Sequence, residues 1–268
     1  MIIDAHVHCS GRETQDDILR SMDAAQIDKL VLLAPFLSDP YSLEDAGSLR
    51  AGNDHLAALT AAHADRLIGF AVVNPLHATA CDDLDRAAQK PGIAGLKMVP
   101  TGWYPYDECA HRVFETAARL GLPCLFHSGI FIDGKSGRFC RPVFFEAVRE
   151  HPTLRVTLAH LGWPWCDEAI AVGLIDLIKG VDPGNCQIRF DFSFGPPPVY
   201  RQEALRRALD VLGAGLIHFG SDRFLPCSGE HLRAARNELE DLLDALNVGE
   251  ADRQAIFYGN AARWLGLT

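Results

Sequence analysis

Eight short apolar or β-branched runs, each followed by an amphipathic stretch, constrain this chain more than any other feature. The runs cover residues 2–7, 29–34, 67–73, 94–99, 123–127, 155–160, 187–192 and 216–220. Their length and content predict strands, with Gly and Pro punctuating several of the boundaries. Helix-like segments lie between and after them, at 14–25, 56–63, 81–89, 110–120, 142–150, 166–178, 201–212 and 229–246. Strand starts recur roughly every thirty residues, the period of a βα unit. Runs such as Leu30-Val31-Leu32-Leu33 are apolar on both faces, as parallel strands covered by helices must be. Eight such units in 268 residues predict an α/β protein with a (β/α)8 TIM barrel rather than an open sheet. No linker or low-complexity segment divides the chain, so residues 1–268 are expected to form a single barrel domain. The tail, residues 250–268, predicts extra C-terminal helix packed on the barrel, with Trp264 and Leu265 as buried anchors.

In such a barrel the C-terminal strand ends and the loops after them build the active site. The polar residues that end these strands are selective. The first strand carries His6 and His8, the fourth Lys97, the fifth ends in His127, the sixth in His160, and the eighth in Ser221-Asp222. Two imidazoles two positions apart on a strand share one face, with Ala5 and Val7 on the other, so His6 and His8 can grip one metal. A mixed His/Asp set suits Zn²⁺ or a similar divalent ion with one position left for water. His55, His63, His77, His111, His151, His218 and His231 fall on helices, linkers or strand starts and read as structural or solvated.

Lys and Arg total 25 against 35 Asp and Glu, a net charge of −10, which opposes binding to phosphate backbones and anionic membrane surfaces. No stretch approaches the ~18 uninterrupted apolar residues of a membrane span. The N-terminus lacks the basic and long apolar regions of a secretory signal, so a cytoplasmic location is expected. Eight scattered cysteines without a C-x-x-C pair predict reduced, mostly buried thiols. The expected partner is a small-molecule substrate, with no nucleic acid and no membrane; a homodimer is one assembly the chain could form.

Taken in order, Ile3-Asp4-Ala5-His6-Val7-His8, Gly95-Leu96-Lys97-Met98, Leu122-Pro123-Cys124-Leu125-Phe126-His127-Ser128-Gly129, Leu158-Ala159-His160-Leu161-Gly162, Phe219-Gly220-Ser221-Asp222 and Gly259-Asn260-Ala261-Ala262-Arg263 resemble the metal-dependent amidohydrolase superfamily. Within it they resemble the amidohydrolase-related (family 2) group, which includes aminocarboxymuconate-semialdehyde decarboxylase-like proteins. The resemblance implies that His6, His8, His127 and Asp222 hold a single metal, with His160 over the metal-bound water. A divalent ion can bring the pKa of bound water from ~15.7 to about 7. Asp222 would take the water proton and pass it to a leaving group, while His160 donates a hydrogen bond to the developing oxyanion. If Lys97 were carboxylated, as in binuclear relatives, Lys97 and His160 would join a two-metal centre. Unmodified, Lys97 would grip a substrate carboxylate, and this simpler form with one Zn²⁺ is the expectation.

The expected activity is hydrolysis of an amide, lactone or ester bond in a small carboxylated substrate through a metal-activated water. The alternative is metal-dependent, non-oxidative decarboxylation of an aromatic or dienoic acid. A barrel without catalytic function is disfavoured by the full set of polar groups. Candidate substrate contacts beyond Lys97 are Arg138, from a basic loop with Lys135 and Arg141, and Trp163, which with Trp165 could wall a pocket.

Overall fold

Because runs such as Leu30-Val31-Leu32-Leu33 are apolar on both faces, they can be satisfied only between two packed layers, and that is where they lie. The computed structural model describes residues 1–267; the last residue of the predicted tail helix, Thr268, falls outside them. The strands are β1 (Ile3–His8), β2 (Lys29–Leu33), β3 (Leu67–Val72), β4 (Ile93–Met98), β5 (Cys124–Phe126), β6 (Val156–Leu158), β7 (Ile188–Phe192), β8 (Ile217–Phe219) and β9 (Arg223–Phe224). Every pairing is parallel, in the order β8-β7-β6-β5-β4-β3-β2-β1-β9. The ring closes where the chain leaving β8 meets β1. A Cβ at Gly220 would stand 2.9 Å from the His6 Cβ, so only glycine admits this approach. The Asp222 N–H then donates to the His6 carbonyl at 2.8 Å, and the two-residue β9, not expected from the sequence, pairs with Val7 and His8.

The outer layer is α1 (Gln15–Ala25), α2 (Ala46–Thr60), α3 (Ala80–Ala88), α4 (Glu108–Arg119), a 3₁₀ stretch (Pro142–Glu150), α5 (Cys166–Ile178), α6 (Pro198–Leu212) and α7 (Gly229–Ala245). The tail forms α8 (Glu250–Gln254), a π turn (Ala255–Gly259) and α9 (Asn260–Leu265). The second helix begins ten residues before the expected position 56. Asp45 caps it, its carboxylate accepting from the Gly47 and Ser48 N–H groups, and that cap offsets the poor helix propensity of Gly47, Gly52 and Asn53.

Side chains alternate between two clusters. Leu30, Leu32, Leu96, Met98, Phe126, Leu158, Phe190 and Phe219 pack outward under the helices. Ile3, Ala5, Val31, Leu33, Ile68, Phe70 and Leu125 fill the interior together with Ala261, Ala262 and Trp264 of α9. Trp264 is buried as expected, while Leu265 is only half-buried. Asn260 ties α9 in place by donating to the carbonyls of Ala214 and Ile217, each at 2.7 Å. Burying a tryptophan of 150–250 Å² contributes about 4–6 kcal/mol of transfer free energy as an upper figure, so α9 is a strong floor for the barrel.

One irregularity matters for the site. Asp4 pairs with Leu30 but Val7 with Leu32, so three steps of β1 oppose two of β2. This bulge changes the phase of the strand. Ala5, expected opposite the histidines, belongs to the interior cluster with Ile3, while Val7 packs outward. Among the described residues, no helix is long and apolar enough to cross a membrane, and all eight cysteines are free thiols.

Candidate metal centre

The bulged β1 brings both histidine side chains to the C-terminal mouth. His6 Nε2 and His8 Nε2 lie 3.2 Å apart, and Asp222 Oδ1 is 3.2 Å from the first and 3.0 Å from the second. Asp222 has a left-handed backbone (φ 55°), and the sharp turn after β8 aims its carboxylate back at β1. Asp4, without an assigned role in the sequence, helps hold that turn: its Oδ1 accepts from Ser221 N–H at 2.8 Å and His6 N–H at 3.2 Å. Burial raises the Asp4 carboxyl to about 7. The His8 ring is stacked on Phe224 of β9, with centroids 4.5 Å apart.

The protonation states suit a cation. Burial, then the Lys97 charge, lower His6, and burial lowers His8, so both imidazoles are neutral. Burial alone would raise Asp222, but the imidazoles of His6 and His160 and a hydrogen bond to His8 hold it well below the usual carboxylate range. Neutral imidazoles and an ionised carboxylate are the forms that bind metal.

Asp191 of β7 organises this set, although the sequence reading assigned it no ligand role. It is fully buried, and its Oδ2 accepts from His6 Nδ1 at 2.9 Å. Its Oδ1 accepts from the His160 N–H at 2.8 Å and from Ser193. Burial would raise this carboxyl; the His6 imidazole beside it, then His160 and the Ser193 hydrogen bond, hold it well below its ordinary value instead. An ionised Asp191 can only accept, so His6 carries its proton on Nδ1 and turns the Nε2 lone pair toward His8 and Asp222. Neither His6 Nε2 nor Asp222 Oδ1 then has a hydrogen for the other, and two facing acceptors at 3.2 Å require a cation between or beside them. His6, His160 and Asp191 also lie close enough to form a metal-sized group, but His6 Nδ1 is hydrogen-bonded to Asp191 and His160 Nδ1 to Ser193.

Lys97 supplies one positive charge here. It is 1% exposed, and its Nζ is 3.2 Å from His6 Nε2. Burial lowers its ammonium to about 8, against the pull of Asp222 and Asp191. His127 and His160 reach the same rim, their ring centroids 5.2 Å apart. His127 Nε2 lies 3.1 Å from the Ile130 carbonyl, and burial followed by the charges of His160 and Lys97 pushes this imidazole well down. The tight donor group therefore contains His6, His8 and Asp222, while the fourth expected ligand, His127, lies outside it, with its Nε2 on the Ile130 carbonyl. His160 directs Nδ1 to Ser193 Oγ at 2.6 Å, with Asp222 Oδ2 at 3.9 Å, and burial lowers it to about 4.

A cleft of about 590 Å³ opens beside the histidines, between the loops after β2, β3, β4 and β5. Phe36 and Phe131 line it, and these rings also touch His8 and His127, with centroids 5.5 and 4.9 Å apart. Arg138 and Lys135 line its outer part and have no ion-pair partner among the described residues; Glu44 and Asp133 share that rim. Arg141 does not join them, because it is paired with Glu168 and stacks on Trp165. Trp163 stands apart from the cleft, against Tyr200, with its carbonyl accepting from the Ile130 N–H at 2.9 Å.

Comparisons with known proteins agree with this architecture. The family model described as Amidohydrolase matches residues 3–267. No curated protein matches the chain. The structure of 2,6-dihydroxybenzoate decarboxylase from Rhizobium is 18% identical with a TM-score of 0.71, covering 99% of this chain and 98% of that one. A 5-carboxyvanillate decarboxylase from Novosphingobium aromaticivorans, complexed with manganese and 4-hydroxy-3-methoxy-5-nitrobenzoic acid, is 17% identical with a TM-score of 0.68, over 99% and 96% of the two chains. A probable 2-pyrone-4,6-dicarboxylic acid hydrolase from Acinetobacter baumannii, with citric acid bound, is 15% identical with a TM-score of 0.67, over 99% of each. At these identities the likeness establishes the barrel fold.

Proposed function

Since the chain belongs to the amidohydrolase family, we propose that it is a metal-dependent hydrolase of an amide, lactone or ester bond in a small carboxylated molecule. The observation that carries this reading is the convergence of His6 Nε2, His8 Nε2 and Asp222 Oδ1 within 3.2 Å of one another. His6, His8 and Asp222 would hold a divalent ion, Zn²⁺ in this reading, with His127 as the further ligand. Such an ion lowers the pKa of a coordinated water and polarises a carbonyl oxygen.

The chain's own residues supply the rest. Asp222, whose Oδ2 lies on the His160 side, would take a proton from the attacking water and return it to the leaving group. Lys97, unmodified, would offer its ammonium to a substrate carboxylate at the rim of the donor group. The walls formed by Phe36 and Phe131 would exclude water from the reacting end, and Arg138 would meet charge at the far end of the cleft.

Decarboxylation of an aromatic or dienoic acid is the second reading, supported by two decarboxylases that share the fold over nearly the whole chain. The two are separated by turning over a panel of lactones, esters, amides and aromatic acids with the Zn²⁺- or Mn²⁺-loaded protein in ¹⁸O-water. Label in a new product carboxylate supports hydrolysis. Release of CO₂ without label overturns it in favour of the lyase.

A further inference from the structure

We propose that Ser193 is a positioning residue which, together with Asp191, holds His160 in the tautomer with its proton on Nδ1 and its lone pair on Nε2. The inference rests on the placement of His160 in the site described above and adds the device that orients it.

A serine hydroxyl has one hydrogen to give. Ser193 Oγ lies within hydrogen-bond distance of two atoms, Asp191 Oδ1 and His160 Nδ1, the latter at 2.6 Å. Asp191 is a buried acceptor and receives the Ser193 hydrogen; it also receives N–H groups from His6, His160 and Ser193 itself. The remaining contact, between Ser193 Oγ and His160 Nδ1, then needs its hydrogen from the imidazole. His160 is therefore the Nδ1–H tautomer, and its Nε2 is an acceptor rather than the oxyanion donor expected from the sequence. Its Nε2 makes no hydrogen bond to the described residues, and the side chain keeps a 9% exposed edge. Through its other oxygen Asp191 imposes the same tautomer on His6. One carboxylate thus sets both rings, directly in one case and through a hydroxyl in the other.

The backbone is arranged for this contact. His160, Leu161 and Gly162 all have left-handed φ values, 61°, 48° and 68°. For the first two this backbone is strained, and it is held by the His160 N–H bond to Asp191. On the opposite side, a Cβ at Gly195 would fall 2.3 Å from the His160 Cβ, so the chain after Ser193 packs directly against the imidazole.

The test is ¹⁵N NMR of histidine-labelled, Zn²⁺-loaded protein, with His160 assigned by its loss in His160→Gln. The expected spectrum has a protonated Nδ1 and an unprotonated Nε2 at His160. Ser193→Ala shifts His160 to the Nε2–H tautomer or a mixture, and Ser193→Thr, which keeps the hydroxyl, restores the original signals. With a substrate in hand, Ser193→Ala lowers kcat roughly 10–100-fold, the range for loss of a supporting partner, with KM little changed. A protonated Nε2 in the unaltered protein, or no tautomer change in the alanine variant, overturns the proposal. The tautomer is read without turnover, so a lyase outcome defeats the hydrolase reading and leaves this one standing.

Discussion

The floor and the mouth of this barrel are lined by the same strands yet hold opposite chemistry. At the floor Ile3, Val31, Ile68 and Phe70 close on Trp264, with apolar contact as the cohesion. At the mouth His6, Lys97, His160 and Asp191 are nearly as buried, but each side chain is tied to another polar group. On β1 the change occurs between Ala5 and His6, across the bulge. Direction into the barrel therefore does not set what a residue does; the level along the strand does. A sealed floor also leaves the mouth groups only one another and a ligand as partners, which keeps their interactions strong in a low-dielectric site.

Breaking the mouth should have the largest effect. Asp222→Ala is expected to weaken metal binding by more than the roughly 10–100-fold typical of losing a mere supporting group, with turnover falling at least as far. The metal-free fold should persist. Metal content after dialysis against a chelator, with circular dichroism as the control, checks both, and stoichiometric metal in the variant would remove Asp222 from the ligand set. Breaking the floor should do the reverse. Trp264→Ala is expected to cost about 3–5 kcal/mol in urea unfolding while each folded chain still binds metal. A loss below about 1 kcal/mol would mean that α9 does not seal the barrel.

That contrast was partly legible in the sequence. Eight largely apolar runs at a βα period carry the barrel, because strands buried on both faces are built mainly from apolar residues. His6, His8, Lys97, His127, His160 and Asp222 stand out because each ends or follows such a run. The bulge is not legible, since it depends on pairing with β2 and not on the composition of β1. Asp191 and Ser193 were also out of reach as a unit. Asp191 reads as one acid on a strand, and its meaning comes from His6, 185 positions away, and His160, 31 away. The start of α2 was obscured by glycines that an Asp45 cap overrides. The 3₁₀ form of Pro142–Glu150 has no signal that separates it from an α-helix of equal length.

The smallest expected effect lies between the two ends. His218 on β8 is fully buried, its ring 5.2 Å from Trp264, and neither ring nitrogen has a hydrogen-bond partner among the described residues. Of the structural and solvated alternatives expected from the sequence, the structural one holds, because His218 lies inside the barrel. Burial lowers it from 6.5 to about 4, against a weaker upward pull from Asp191. The unfolded chain therefore binds more protons than the folded one between about pH 4 and 6.5, so this group's contribution is fully present above pH 6.5 and is lost as pH falls. The shift corresponds to roughly 3 kcal/mol across that window, in addition to same-signed contributions from the mouth imidazoles. His218→Leu removes an unsatisfied polar group, so at pH 7 it should be neutral or stabilising by about 1 kcal/mol. Its stability should also fall less steeply from pH 6.5 to 4 than that of the unaltered protein. Urea unfolding of both metal-free proteins at several pH values in that range checks this. Equal slopes would show that His218 finds a proton partner inside the barrel, and that the polar level of the interior extends closer to the floor than its side-chain contacts indicate.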